Sequence, residues 1–428
     1  MKLPYQEVRF TKKGALSAPS DRDAAIALVA TTAATDVLVM SHGWNNTPAA
    51  ARALYERLAT SMDAVRDDVA GSRSRRLVVI GVIWPSIQWA PEEGSGAGAD
   101  AETAEDVLRA EVVEKVSSRT ARTRLLALVD RLESDPGAAE EFVEVLRATL
   151  PPSSAGEDAA AFTALRSASP AEIIDAARGI VTGDDADAGE VVGGAADIDP
   201  AGLTPLDSGG REAGGAGFFS SIVDAVRGVL NITTYYTMKH RAGLVGEEGI
   251  APLLTALHAA HPDTSLHLIG HSFGGRAATA AAKATSAPVQ TLTLLQAAYS
   301  HFGMAQNWDG AGADGLFAIV PSHVRGPIVV TCTRNDEAVG LAYPIASRLA
   351  QQIGVALGDE NDPYGGIGRN GALKTPASLP RATLLEVGGA YDFQAGRVSS
   401  LVADAFISGH SDVTGRQVAY AILSALEA

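Results

Sequence analysis

At 428 residues, 46% of them hydrophobic and 20% charged, the chain can bury a large core and is too apolar for global disorder. Its formal net charge of −16 excludes a general affinity for nucleic acid or anionic membrane surfaces, whose phosphates would be repelled rather than neutralised. The single cysteine, Cys332, excludes an intrachain disulfide and reads as a small buried hydrophobe within PIVVTCT.

The opening stretch MKLPYQEVRFTKKG has no apolar leader, and no run reaches the roughly 18 consecutive apolar residues of a spanning helix. A soluble, cytoplasmic protein without integral membrane association is expected. A first strand is expected within YQEVRFTKKGAL, as an antiparallel edge. TDVLVMSHG then reads as a short buried strand, AAARALYERLATSMDAV as a helix, and RLVVIGVIWPS as a second buried strand stopped by Pro85.

Residues 91–217 interrupt this alternation. Acidic, Ala-rich helices are expected at AEDVLRAEVVEKV, TRLLALVDRLES and AAEEFVEVLRATL, followed by a Gly/Asp-rich mobile loop. In FFSSIVDAVRGVLNITTYYTM, Phe219, Ile222, Val226 and Leu230 recur at helical spacing, which reads as a helix packed on the core rather than a membrane-contacting lid. The alternation resumes with helix IAPLLTALHAA, strand SLHLIG, helix GGRAATAAAKAT and strand VQTLTLLQAA. Strand GPIVVTCT, helix LAYPIASRLAQQIG, strand RATLLEVGG and helix TGRQVAYAILSALEA complete it. The expected class is α/β, a doubly wound, mostly parallel sheet formed by residues 1–90 and 218–428, with a helical insertion.

Gly270, His271, Ser272, Phe273 and Gly274 form G-x-S-x-G between a strand and an Ala-rich helix. Composition alone can produce the pentapeptide by chance; its context carries the meaning. A nucleophile elbow needs a strand before it, a helix after it, and glycines where side chains would clash in a strained turn.

A nucleophilic serine needs a base, which this topology supplies late in the chain, in the order serine, acid, histidine. Of the nine histidines, only His410 follows both Ser272 and the next plausible acid strand. It lies in the glycine-flanked loop ISGHSDVTG, where the plain alternative is a surface histidine. Asp336, just past PIVVTCT, is the expected acid; its plain alternative is to cap a helix starting near Ala338. Asp309, Asp362 and Asp392 are substitutes.

Oxyanion donors are expected from the N–H of Phe273 and, in the loop SHGWNN, from that of Trp44. His42 and Gly43 would support this loop, and Asn45 and Asn46 would shape its turn. DDADAGE lacks the ligand spacing of a calcium loop, and His267 reads as a packed core histidine. His42, His271 and His301 have no second ligand at metal spacing, so no metal and no cofactor is expected.

Together, GHSFGG, SHGWNN and the order Ser272, Asp336, His410 resemble the α/β-hydrolase superfamily over residues 1–90 and 218–428, with 91–217 where members often insert a cap. With GVIWPS and YYTMKHRAGLVG, the chain is similar to a bacterial esterase/lipase-like branch. The resemblance implies a serine hydrolase in which Ser272 is acylated, His410 acts as base and then acid, and Asp336 orients it. The substrate class implied is a small-molecule or lipid-like carboxylic ester, neutral because an acidic mouth repels anions; a lipase, thioesterase or amidase would share the triad. Two other readings are an idle scaffold binding a protein partner through its cap, and a cofactor-free lyase or peroxidase.

Overall fold

The computed structural model describes residues 3–86, 103–135, 137–152, 156–181, 215–340 and 365–428. Strands β1 (Tyr5–Arg9), β2 (Asp36–Ser41), β3 (Leu77–Ile83) and β4 (Ser265–His271) join β5 (Val289–Leu295), β6 (Ile328–Cys332), β7 (Ala382–Thr383) and β8 (Val398–Val402). They form one eight-stranded sheet, ordered β1-β3-β2-β4-β5-β6-β8-β7 and parallel throughout. β2 and β3 are buried at every position, which near-continuous apolar runs allow when helices cover both faces.

Alternate residues of β2 separate two cores. Val37 and Val39 join α1 (Pro19–Thr32) on one face, while Leu38 and Met40 join α2 (Pro48–Ala64) and the C-terminal helix Arg416–Leu426 on the other. The intervening segment forms α3 (Ala104–Lys115), α4 (Arg119–Val129), α5 (Ala138–Arg147), α6 (Ala159–Ser167) and α7 (Pro170–Val181). A long helix, α8 (Gly215–Val245), returns the chain to α9 (Ala251–Ala260), β4 and α10 (Phe273–Ala284). Helices α3, α5 and α7 pack on α8, and α8 packs on α10, so the first core continues from the sheet into these helices. Ile222, Val226 and Leu230 of α8 are buried, as their spacing predicts. Among the described residues no helix is long and apolar enough to cross a membrane.

Three expectations change or fall away. The first strand is not an antiparallel edge: β1 pairs with β3 in parallel, because α1 carries the chain back across the sheet before β2 begins. The stretch RATLLEVGG supplies only the two-residue edge strand β7, and the inner strand beside β6 is β8. Ser399 and Ser400 disguise β8 as a loop, yet both are buried, and Ser400 Oγ accepts the Ala372 N–H at 3.0 Å. The helix expected at LAYPIASRLAQQIG and most of the Gly/Asp-rich run lie outside the described residues.

At the amino ends of the central strands, a polar relay crosses the sheet. Fully buried His267 links Asp36 Oδ1 at 3.1 Å to Thr291 Oγ1 at 2.9 Å, and Arg75 reaches the same Asp36 oxygen at 2.6 Å. Burial alone would raise the Asp36 pKa, but hydrogen bonds from His267 and Thr35 and the nearby positive charge bring it below the usual carboxylate value. His267 is thus the packed core histidine its strand position predicts. Replacing it with leucine would leave Thr291 and part of Asp36 without partners. His267→Leu should therefore lose about 1–3 kcal/mol in urea unfolding; an unchanged midpoint would show the relay to be dispensable.

Candidate active site

The corner between β4 and α10 places Ser272 at φ 57° and ψ −127°, where a side chain is rarely tolerated. Such a conformation costs about 1–3 kcal/mol and persists only when its surroundings enforce it. Here Ser272 N–H donates to Leu295 O at 3.1 Å, while its carbonyl accepts from Gly275 N–H at 2.9 Å and Ala298 N–H at 3.1 Å. Room comes from glycine: a Cβ on Gly274 would overlap the Ser41 carbonyl, and one on Gly43 would lie 2.6 Å from Ser272 Cβ. Gly270 is equally confined, by the backbone of Gly274 and Gly275.

Asp336 and His410 meet because β6 and β8 are neighbours, so the loops leaving their carboxyl ends lie side by side. His410 Nδ1 donates to Asp336 Oδ2 at 2.8 Å. The carboxylate is fully buried and accepts two further bonds, from Gln296 Nε2 at 3.2 Å and from Val339 N–H, through Oδ1, at 3.1 Å. Asp336 thus caps the short helix Glu337–Gly340 through one oxygen and accepts the imidazole N–H through the other. With Nδ1 donating, the Nε2 lone pair of His410 is left for a proton. Among the described residues Ser272 Oγ makes no hydrogen bond to His410; the two are joined instead through His271, whose Nε2 donates to His410 O at 2.9 Å.

Sequence reasoning missed the residues that fix these loops. Gln296, at φ 43°, donates to Asp336 and to Gly368 O and accepts from Thr331 Oγ1. Asp404 accepts from Thr333 Oγ1 at 2.7 Å and Arg334 N–H at 3.0 Å, and Asn335 donates to Asp404 O and Ile407 O, stitching the acid loop to the histidine loop. A buried glutamine just after a β strand was the one available signal. Of the substitute acids, Asp309 is occupied with the backbone of its own exposed loop, Asp392 pairs with Gln394, and Asp362 lies outside the described residues.

The SHGWNN loop meets the elbow through Gly43. Tyr55 Oη accepts His42 N–H at 2.8 Å and donates to Val82 O at 2.6 Å. The His42 ring stacks on Trp84, donates from Nδ1 to Gly43 O and accepts Trp84 N–H at Nε2. Asn45, at φ 57°, and Asn46 bond to Ser86; Asn45 lies in the turn, as expected, and Asn46 follows it. The N–H groups of Trp44 and Phe273 donate to no other group among the described residues, and their rings lie 6.0 Å apart. The far wall is α8: Tyr235 lies 5.1 Å from Phe273, and Arg241 donates to Pro85 O at 2.6 Å. Among the described residues no group of three or more His, Cys, Asp or Glu side chains is placed to hold a metal ion; buried His301 bonds to Asn370.

No family model, curated protein or solved structure matches this chain. The arrangement must therefore be read from its chemistry. A buried carboxylate holds the imidazole of a histidine whose backbone is tied to the residue before a serine in a strained turn. Among the described residues the N–H groups of Phe273, after that serine, and of Trp44, in the loop that meets it, donate to no other group. Such a set can transfer a proton from a hydroxyl and stabilise an oxyanion.

Three buried histidines are held neutral. Burial lowers the pKa of His42 to about 4 and that of His267 below its ordinary value. Burial, reinforced by the neighbouring His410, lowers that of His271 to about 3. An unfolded chain protonates each near pH 6.5 while the folded chain does not, so their contribution is present above that pH and lost as pH falls toward the folded values. For His42 the full loss is about 3 kcal/mol. The melting temperature should already fall between pH 6.5 and 5, above the main carboxylate range; calorimetry showing no change there would contradict the neutral histidines.

Proposed function

We propose that this chain is a serine hydrolase of the α/β-hydrolase type that cleaves carboxylic esters through an acyl-enzyme. The observation that carries this reading is the 2.8 Å bond from His410 Nδ1 to buried Asp336, on a loop tied through His271 to the serine that follows it at a positive φ. Ser272 Oγ attacks the ester carbonyl as His410 Nε2 takes its proton. The Phe273 and Trp44 N–H groups receive the oxyanion, and His410 returns the proton to the leaving alcohol. Water, deprotonated by His410, then attacks the acyl-serine, and His410 returns that proton to Ser272 Oγ as the carboxylic acid leaves. Asp336 orients the ring and stabilises the imidazolium. His42, Gly43, Gly270, His271 and Gly274 support these atoms without reacting.

A neutral acyl group suits the site. Trp44, Phe273 and Tyr235 give it an aromatic border, and the chain's net charge of −16 repels anions. Insertion helices α3 to α7, attached through α8, would form the cap of such an enzyme. A thioester, an amide or a lipid aggregate fits the same attack geometry, and acyl preference separates these within the proposal.

One observation favours a binding role instead. A cleft of about 430 Å³ opens between α3, α4, α5 and α8, lined by Lys115, Thr120, Arg124, Glu144, Thr149 and Thr237 among others, none of them at the Ser272 site. A scaffold that binds through its insertion would use this cleft and leave Ser272 inert. Incubation with a fluorophosphonate, followed by mass spectrometry, decides between them. Labelling of Ser272, with p-nitrophenyl ester turnover lowered by a factor on the order of 10⁴ or more in Ser272→Ala and of about 10⁴ in Asp336→Asn, is expected. No labelling and no ester turnover by the folded chain would favour the scaffold, whereas undiminished turnover in Ser272→Ala would remove Ser272 from the reaction.

A further inference from the structure

We infer that His271 is a positioning residue, whose hydrogen bond to the His410 carbonyl sets the place of the base beside Ser272. The inference rests on the serine-hydrolase reading above. As the last residue of β4, His271 is fixed by the strand ladder and by its bond to Ser272, so its ring is a rigid extension of the nucleophile's own support. That ring is 6% exposed and lies 5.0 Å from the His410 ring. His410 has only one other described polar tether, its bond to Asp336; the turn around it closes on itself through Ser408 and Asp412. Asp336 thus sets the direction of the imidazole, and His271 fixes its backbone relative to the serine.

The protonation pattern supports this role. A carbonyl can only accept, so His271 Nε2 carries the hydrogen and Nδ1 is a bare lone pair. Nδ1 is buried without a partner and faces Gly43, where an added Cβ would lie 3.4 Å from it and 3.1 Å from Ser272 Oγ. Leaving that nitrogen buried and unpaired is unfavourable. An apolar side chain would avoid the cost, but it could not donate to His410. A second proton on His271 would set a cation beside the imidazolium that forms on His410; burial and that neighbour keep the ring neutral, so it holds the base without competing for the proton.

The test compares His271→Leu, which removes the donor, with His271→Gln, whose amide N–H can reach the same carbonyl. His271→Leu should lower kcat for a p-nitrophenyl ester about 10- to 100-fold with KM little changed, slow fluorophosphonate labelling, and shift the pH dependence of kcat/KM. His271→Gln should recover most of that loss. Wild-type kcat and pH profile in His271→Leu, or equal impairment of the two variants when both melt like the wild type, would overturn the inference. If His271→Leu does not fold, His271→Asn, whose amide is too short to reach the carbonyl, takes its place against His271→Gln, and equal activities overturn it. Full turnover in Ser272→Ala would instead sink the hydrolase reading, whatever the His271 variants do.

Discussion

Ser272 is held at a backbone angle that glycine adopts freely and serine does not, and the surrounding structure is arranged to enforce it. Three backbone hydrogen bonds, to β5, to the loop after it and to α10, offset a cost of about 1–3 kcal/mol. The same corner requires the backbone after β2 to touch the elbow, which only a residue without a Cβ at 43 and 274 permits. Strand β2 must therefore lie beside β4, in the register that sets Ser41 opposite Gly270. The place of Ser272, the loop at Gly43 and the strand order are consequences of one tight turn.

The sheet contains two aspartate–histidine pairs, and comparing them shows what solvent access contributes. Asp36 and His267 sit at the amino ends of the strands, sealed with a threonine hydroxyl on the far ring nitrogen. Asp336 and His410 sit beyond the carboxyl ends, on loops that can approach a ligand, with the far nitrogen of His410 unbonded among the described residues. The chemistry of the pairs is alike. Only the second lies at the end of the sheet where open α/β folds receive ligands.

Helix α8 couples this end of the sheet to the insertion. Its Arg241 reaches Pro85 O, and its Lys239 carbonyl accepts Arg276 Nε of α10 at 2.9 Å, while its other side receives α3, α5 and α7. Arg241 is buried, and desolvation lowers its pKa only to about 10, so it remains a charged tether at neutral pH. In the proposed enzyme, a movement of the insertion would reach the nucleophile helix through these contacts.

Much of this was legible in one dimension. The alternation of short apolar runs and helices specified an α/β sheet, because the periods 2 and 3.6 are written locally. The elbow, the loop at Trp44 and the late positions of Asp336 and His410 were also legible, since strand, turn and helix signals bracket them. The edge pairing of β1 and the strand β8 were not: pairing partners are set by crossover and burial, and Ser400 of β8 is satisfied by the distant Ala372 N–H. Gln296, Asp404, Asn335 and the tie from His271 to His410 were illegible for the same reason, since each bonds across separations in sequence that no local pattern records. The sequence by itself determined which residue types stand at the ends of strands. Only the tertiary structure decided which of them share a hydrogen bond, because that depends on which strands become neighbours when the sheet assembles.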